Sequence, residues 1–277
     1  MLLAADIGNS NTLLGLYAKG QEALIASWRL STDRDRMPDD WLALTASLFQ
    51  TGGFSLDDVD AVILSSVVPP VTTALQALAR DRLGLTPIII DPTLDLGIQL
   101  LVEEPTRLGA DRLVDCIAAF AKYGGPAIII DLGTATTVDA ISVAGDFLGG
   151  AIATGVGTSL QALATNASQL FNIELTLPRH TLGKNTVDQL RIGIVLGHLA
   201  MLEGLVVRMT RELGQESVPV ILTGGLAPLF VDQSPLFNHY EPDLTLNGLR
   251  LIYQRLTAGD EQHGNGRPNP GPRLGRA

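Results

Sequence analysis

Two short stretches of the chain combine residue types that suit the binding of phosphate groups and a metal ion. They are DIGNSNT at residues 6–12 and DLGTATT at residues 131–137. In each, an apolar run ends at an aspartate, a glycine permits a tight turn, and small hydroxyl or amide side chains follow. Backbone N–H groups in such a turn can bind phosphate oxygens, while the aspartate can bind Mg²⁺. One copy is compatible with an ordinary turn, but the repeated spacing predicts a nucleotide-phosphate site.

The elements that position these loops are predicted to be strands, because each aspartate follows a short apolar run. Three strands joined by tight turns are predicted around each loop. Helices and strands then alternate, which is typical of an α/β fold with parallel pairing. In the first half the strands are predicted at 2–6, 12–17, 23–30, 61–64 and 87–90, and the helices at 38–49 and 71–83. Residues 108–112 are predicted to lead into a further helix that runs to about 123.

The same order of strands around an Asp loop returns in the second half, which predicts an internal duplication. We therefore expect two halves, 1–123 and 124–257, followed by a flexible tail at 258–277 that is rich in Gly and Pro. In the second half the strands are predicted at 127–131, 136–141, 147–152 and 218–222, and the helices at 153–168, 186–213 and 246–256.

The composition is that of a globular protein and limits its partners. The chain has 277 residues, of which 46% are hydrophobic and 17% charged, and its formal net charge is -10. Such an acidic chain is a poor match for nucleic acid or an anionic membrane, since both are bound by clustered Lys and Arg. We expect no signal peptide and no apolar run near the ~20 residues that span a bilayer. The single Cys116 is interpreted as a core residue, and a reducing cytoplasm is the expected compartment.

Several further motifs, together with the two Asp loops, resemble one known family. Two Asp loops followed by a glycine pair are similar to the superfamily of actin, sugar kinases and Hsp70 ATPases. Within it, the motifs in order from residue 1 to about 256 resemble type III pantothenate kinase. The resemblance implies an α/β fold of duplicated ribonuclease-H-like (actin-like ATPase) domains, with mixed sheets flanked by helices. Besides the Asp loops, the matching motifs are GADR at 109–112, GGAI at 149–152 with Gly155, GKNT at 183–186 and TGG at 223–225.

The resemblance also implies an activity, the ATP-dependent phosphorylation of pantothenate to 4′-phosphopantothenate, the first step of coenzyme A biosynthesis. Asp111 corresponds to the general base, Arg112 could pair with the pantothenate carboxylate, and Asp131 corresponds to the ligand of a monovalent cation, K⁺ or NH₄⁺. Asp6 is a candidate Mg²⁺ ligand, and a homodimer is expected because the partner subunit completes the substrate site in this family. The implied ATP-binding residues are Asp6, Ile7, Gly8, Asn9, Ser10, Asn11, Thr12, Leu13 and Thr134, and the implied substrate-binding residues are Gly109, Ala110, Asp111, Arg112 and Thr186.

Some residues leave alternatives open. Taken alone, Asp111 and Arg112 could be a helix N-terminus beside a solvated arginine, and Thr186 could be the N-cap of the long helix. Members of the family often carry a tyrosine where this chain has Val102, so a substrate contact is missing or supplied elsewhere. The chain could also be a phosphotransferase for another small alcohol, or a non-catalytic nucleotide-binding regulator. A pure binder needs no base, so the joint retention of five residues argues against a regulator: Asp6, Asp111, Arg112, Asp131 and Thr186.

Overall fold

The computed structural model describes residues 1–167 and 169–263 and contains two five-stranded mixed sheets. The first sheet consists of β1 (Leu2–Ile7), β2 (Asn11–Tyr17), β3 (Leu24–Ser31), β4 (Ala61–Ser66) and β5 (Ile88–Ile89). Its strand order is β3-β2-β1-β4-β5, in which β1, β2 and β3 are antiparallel and β4 and β5 run parallel to β1. The meander therefore carries the first Asp loop at the end of a central strand.

The second sheet has the same construction. It consists of β6 (Ala127–Leu132), β7 (Ala135–Ile141), β8 (Phe147–Thr154), β9 (Val220–Thr223) and β10 (His239–Tyr240). Its order, β10-β9-β6-β7-β8, repeats that of the first sheet read from the other edge. The sequence of buried and half-buried residues along β6 and β7 is also the same as along β1 and β2. The predicted fold class, a duplicated α/β fold with mixed sheets, is confirmed.

The duplication is offset by one residue at the Asp loops. Ile7 lies opposite Thr12 in the β1–β2 pair, whereas Leu132 lies opposite Thr136 in the β6–β7 pair. Both threonines are fully buried, so Thr12 corresponds to Thr136 and not to Thr137. The first loop is therefore one residue longer than the second. The sequence pattern aligned the two loops without this gap, because a short polar turn does not show where strand pairing resumes.

Helices flank both sheets and fill the space between them. They are α1 (Pro38–Thr51), α2 (Pro69–Leu83), α3 (Ala110–Tyr123), α4 (Val156–Asn166), α5 (Thr186–Arg191), α6 (Gly197–Glu212) and α7 (Leu244–His263). The helices α3 and α7 pack against each other; α3 also contacts β6 and β7, and α7 contacts β1 and β4. Their buried residues, among them Leu113, Ile117, Leu249 and Ile252, form one core with the facing sides of both sheets. This packing places the start of α3 between the two halves.

Local sequence signals explain where the outer helices begin and end. Pro38 opens α1, where its fixed φ suits the first turn, and the Asp40 carboxylate accepts a hydrogen bond from the backbone N–H of Met37 (3.1 Å). Pro69 opens α2, which ends at Gly84 with φ 67°, a backbone conformation that favours glycine. The strands of this half and the helices α1 and α2 are confirmed to within two residues at each end, and α3 begins at Ala110, inside the stretch 108–112 that was predicted to lead into it.

The long helix predicted at 186–213 is helical but not uniform. Between α5 and α6 lies a π-helical segment, Ile192–Leu196. Over Thr186–Glu212 an 18-residue window has a mean hydropathy of 1.8 and is 33% buried, so by length and composition this stretch could cross a membrane. The prediction that no apolar run approaches the length needed to span a bilayer is therefore wrong. Length and composition are nevertheless weak evidence for a span, since core helices of soluble proteins have the same properties.

The remaining differences concern short or terminal elements. The strand β10 was not predicted, because two residues carry no alternation that a pattern could detect. The helix predicted at 246–256 is longer at both ends, so the first residues of the predicted tail at 258–277 belong to α7, and 264–277 lie outside the described residues. The helix predicted at 153–168 begins at Val156, because β8 continues to Thr154, and it ends at Asn166; Ser168 is also outside the described residues.

Candidate active site

A cleft of about 600 Å³ lies between the two halves, and both Asp loops line it. The loops touch there, since Ser10 Oγ lies 2.8 Å from Thr134 Oγ1. Ile7 and Thr12 are fully buried behind the first loop and are not among the residues that line the cleft. The predicted site residues that line it are Asp6, Gly8, Asn9, Ser10, Asn11, Leu13, Asp111, Asp131 and Thr134.

The first Asp loop is held in place by Thr32, which directly follows β3. The Thr32 hydroxyl donates a hydrogen bond to the carbonyl oxygen of Gly8 (2.7 Å), and its backbone N–H donates to the carbonyl oxygen of Ser10 (3.0 Å). The Gly8 N–H in turn donates to the carbonyl oxygen of Asn11 (2.9 Å), which closes the turn. Thr32 therefore fixes the backbone of this loop. Sequence reasoning missed it, since nothing in the Asp motif indicates which later residue packs on the loop.

The second Asp loop is held by residues at the start of α4. The loop closes through a hydrogen bond from the Gly133 N–H to the Ala135 carbonyl oxygen (3.0 Å). The carbonyl oxygen of Thr134 accepts from the Gly155 N–H (3.1 Å) and from the Thr158 hydroxyl (2.7 Å). A Cβ at Gly155 would lie 2.4 Å from the carbonyl oxygens of both Gly133 and Thr134. This close approach of two backbones requires glycine at 155.

Asp111 lies in the first turn of α3 and faces the cleft. Its Oδ1 accepts a hydrogen bond from the backbone N–H of Arg112 (2.8 Å). The N-cap is Gly109, where a Cβ would lie 2.5 Å from Asp111 Oδ1, so glycine leaves room for the carboxylate. In the part of the chain that the structure describes, no hydrogen bond reaches Asp111 Oδ2. That oxygen is left to accept a proton or hydrogen bond from a ligand.

Negative charge accumulates in the cleft. Burial, together with the charges of Asp111 and Asp131, raises the pKa of Asp6 to about 8. Burial, together with the charges of Asp111 and Asp139, raises the pKa of Asp131 to about 7. The carboxylates repel one another in a site with little water, so a bound cation would stabilise their ionised forms.

Arg112 is already engaged by a carboxylate of its own chain. Its Nε donates to both carboxylate oxygens of Asp139 (3.1 and 3.0 Å), and its Nη2 donates to Oδ1 of the same residue. Asp139 is only 2% exposed, and burial raises its pKa. The Arg112 Cζ also lies 5.4 Å from the centre of the Phe147 ring. Of the guanidinium, mainly the Nη1 edge is therefore left for a substrate carboxylate.

Of the predicted substrate-binding residues only Asp111 lines the cleft, whereas the others do not: Gly109, Ala110, Arg112 and Thr186. Thr186 is exposed at the start of α5, and the N-cap is Asn185, whose side-chain oxygen accepts from the Asp188 N–H (2.9 Å). The alternative that Thr186 is the N-cap is therefore wrong, because Asn185 occupies that position. Val102, which stands where the family often has tyrosine, is half-buried, and its Cγ1 would lie 3.8 Å from a Cβ at Gly149.

An apolar groove of about 880 Å³ lies beside α4 and the start of α6. Ile152, 67% exposed, and Leu163, 40% exposed, line it together with Gly193 and Met201. A Cβ at Gly193 would meet no atom within 4 Å. Among the described residues, no element covers this face.

Comparison with known proteins decides the family. The model of the family described as type III pantothenate kinase matches residues 2–208. The chain belongs to the type III pantothenate kinase family. The type III pantothenate kinase of Roseiflexus sp. strain RS-1 is 44% identical over 254 residues, which cover 92% of this chain and 98% of that relative. The type III pantothenate kinase of Thermomicrobium roseum is 45% identical over 256 residues, which again cover 92% of this chain and 98% of that relative.

Solved structures agree with the fold of this type III pantothenate kinase family member. A structure from Campylobacter jejuni, described as a Baf family transcriptional activator, has a TM-score of 0.59 at 20% identity and covers 92% of this chain and 99% of its own. One from Sinorhizobium meliloti, described as a 2-dehydro-3-deoxygalactonokinase, has a TM-score of 0.56 at 11% identity and covers 99% and 100%. At such identities the likeness shows the fold alone.

Proposed function

We propose that this chain transfers the γ-phosphoryl group of ATP to the primary hydroxyl of pantothenate, giving 4′-phosphopantothenate and ADP, the first step of coenzyme A biosynthesis. Membership of the type III pantothenate kinase family supports the choice of substrate. The observation that carries the proposal is that Asp111 faces the cleft lined by the two Asp loops. A base is thereby presented to the place where backbone donors suit phosphate, as phosphoryl transfer to an alcohol requires.

ATP is bound between the two Asp loops in this proposal. The backbone between Gly8 and Asn11 and the hydroxyl of Thr134 contact the phosphates, because both groups line the cleft and offer hydrogen-bond donors. Gly224 and Gly225 line the same cleft and border the adenosine. The buried Ile7 and Thr12 support the loop from behind and do not touch the nucleotide.

The proposed reaction is a direct transfer. Asp111 accepts the proton of the pantothenate hydroxyl as its oxygen attacks the γ-phosphorus of ATP. A new bond forms between the hydroxyl oxygen and the γ-phosphorus, and the bond between that phosphorus and the β,γ-bridging oxygen breaks, so ADP leaves with the electron pair. The proton on Asp111 then passes to solvent. Oδ2 of Asp111, which accepts no hydrogen bond within the described residues, is the atom suited to receive the proton of the pantothenate hydroxyl.

Two cation positions accompany the proposal. Asp6 holds Mg²⁺ and Asp131 holds the monovalent cation, K⁺ or NH₄⁺, which supply positive charge beside the phosphates when bound. Two observations support cations at these positions: both carboxylates are buried, and the pKa of each is raised. A nearby cation would lower both pKa values. In the described residues, no group of three or more His, Cys, Asp or Glu side chains could hold a metal ion. Phosphate oxygens, backbone carbonyls and water would therefore complete each coordination shell.

The pantothenate site is proposed to be completed by a second copy of the chain. Gly109, Ala110 and Arg112 contact pantothenate beside Asp111, while Thr186 reaches it from the partner of a homodimer. Thr186 is exposed and does not line the cleft of its own chain, which is consistent with a role toward another copy. The exposed apolar groove beside α4 and α6 supports burial against that copy.

We also propose a division of the chain and a compartment. The strands of the halves 1–123 and 124–257 form one sheet each, while α3 of the first half also packs against the second sheet and α7 of the second half packs against the first. The single cysteine, Cys116, is buried and unpaired, which is compatible with the reducing cytoplasm.

A phosphate-transfer assay separates this function from its alternatives. Purified protein is incubated with ATP, Mg²⁺ and K⁺ and with each of several small alcohols, and products are identified by mass spectrometry. We expect 4′-phosphopantothenate from pantothenate and no comparable product from the others. Transfer to a different alcohol would indicate another phosphotransferase. Nucleotide binding without any transfer would indicate a regulator.

A further inference from the structure

One charged side chain of the cleft, that of Arg29, has no role in the proposed phosphoryl transfer. Arg29 lies on β3, directly opposite Leu13 of β2, and Leu13 lies opposite Asp6 of β1. Residues directly opposite one another in antiparallel strands have side chains on the same face of the sheet. Arg29, Leu13 and Asp6 therefore share the face that lines the cleft.

Arg29 is the only basic residue among the described residues that line this cleft. The other ionisable side chains there are the carboxylates of Asp6, Asp111 and Asp131. The charge of Arg29 lowers the pKa of Asp6 and of Asp131 against the larger effect of burial, so it is near enough to act on both.

Arg29 is nevertheless not held by an ion pair. Within the described part of the chain, no carboxylate oxygen lies within 4.0 Å of its guanidinium nitrogens. A Cβ at Gly225 would lie 3.4 Å from Arg29 Nη1, so the side chain reaches from the first sheet to the glycine turn of the second half. It thus spans the cleft between the phosphate-binding loop of one half and the nucleotide side of the other.

We propose that Arg29 is a further catalytic residue, whose guanidinium binds oxygens of the γ-phosphoryl group of ATP during transfer. This proposal rests on the proposed kinase function. A guanidinium presents several N–H donors in a planar fork that matches phosphate oxygens, and it stays charged at every pH at which the enzyme works. Charge spreads over the oxygens of the phosphoryl group as it is transferred, and a positioned arginine stabilises that charge. An arginine already paired with Asp6 could not do so, and Arg29 makes no ion pair with the residues that the structure describes.

The competing explanation is that Arg29 only offsets the charge of Asp6 and Asp131 and stabilises the fold. Three variants separate the two roles. Arg29→Met keeps most of the apolar length of the side chain without its charge, and Arg29→Lys keeps the charge without the planar fork. Arg80→Met is the matched control, because Arg80 is an exposed arginine on α2, outside the cleft.

The experiment measures kcat and KM for ATP, together with the affinity for ADP and for the non-hydrolysable β,γ-imido analogue of ATP. For Arg29→Met we expect kcat to fall at least about 10²-fold, a smaller change in KM, and loss of any preference for the analogue over ADP. Arg29→Lys should recover part of kcat, and Arg80→Met should behave as the wild type. Wild-type kcat in Arg29→Met would overturn the proposal, and so would a lower kcat with an unchanged preference for the analogue. If the wild type phosphorylates no pantothenate, the proposed function fails, and the affinities alone then decide whether Arg29 binds the γ-phosphoryl group.

Discussion

The hydroxyls of Ser10 and Thr134 lie 2.8 Å apart, although 124 residues separate them in the sequence. Each belongs to one of the two Asp loops, so this hydrogen bond joins the halves at the point where the phosphates of ATP are proposed to lie. The Thr134 carbonyl oxygen is held from behind by Gly155 and Thr158. The two loops are therefore joined directly by a hydrogen bond between side chains, and the second loop is fixed by its own half.

Removing the Thr134 hydroxyl should weaken ATP binding. Thr134→Val keeps the shape of the side chain but loses the bond to Ser10, and one neutral hydrogen bond contributes about 1 kcal/mol. We expect KM for ATP to rise about fivefold with a smaller change in kcat. Thr134→Ser, which retains the hydroxyl, is the control. Equal KM values for the valine and serine variants would contradict the role of this contact.

Gly155 gives a second, steric test of the same loop. In Gly155→Ala the new Cβ would lie 2.4 Å from two backbone oxygens of the second Asp loop, which must then shift. We expect loss of most ATP binding and a lower unfolding temperature, since overpacking typically costs about 1–3 kcal/mol. Gly204→Ala on α6 is the control, because a Cβ there meets no atom within 4 Å. Calorimetric titration with ATP and thermal unfolding measure both effects, and unchanged ATP affinity in Gly155→Ala would refute the steric argument.

Much of this fold could be predicted because its signals are local. The apolar run before Asp6, the prolines that open α1 and α2, and the repeated meander all lie within short windows of sequence. The π-helical segment at Ile192–Leu196 and the strand β10 could not be predicted. The first keeps the apolar periodicity of a helix, and the second is too short to show any periodicity.

Less of the candidate site could be predicted from the sequence, because its side chains and loops are held by residues that are far away in the sequence. The pairing of Arg112 with Asp139 joins positions 27 apart and depends on how β7 packs beside α3. Thr32 reaches back to Gly8 over 24 positions. Neither contact follows from a motif, whereas Asp6 and Asp131, which line the cleft, each stand two residues before a glycine in a recognisable motif.

The monovalent cation can be tested by exchanging the salt. Because the pKa of Asp131 is raised by burial and neighbouring carboxylates, a cation at this residue should favour its ionised form. We expect the rate of pantothenate phosphorylation to fall when K⁺ is replaced by Na⁺ at constant ionic strength. Asp131→Asn should abolish the difference between the two salts. Equal rates of the wild-type protein in K⁺ and Na⁺ would overturn the assignment of Asp131.

The apolar groove leads to a prediction about assembly. If a second copy covers it, the chain should sediment at about twice the 29.3 kDa of one copy. Ile152→Glu places a charge in the groove and should yield monomers with weaker pantothenate binding. Val143→Glu is the matched control. Val143 is 69% exposed, nearly the same as the 67% of Ile152, but it lies outside the groove. A wild-type monomer at micromolar concentration, measured by analytical ultracentrifugation, would contradict the homodimer.

Asp111 lies in the first turn of α3 and lines the cleft, and within the described residues no hydrogen bond reaches its Oδ2. The decisive measurement is kcat for pantothenate phosphorylation by Asp111→Asn, with Asp81→Asn, an exposed position on α2, as the control. Loss of a general base should lower kcat by at least about 10²-fold while ATP affinity is retained. A variant that folds, binds ATP and phosphorylates pantothenate at the wild-type rate would contradict the account.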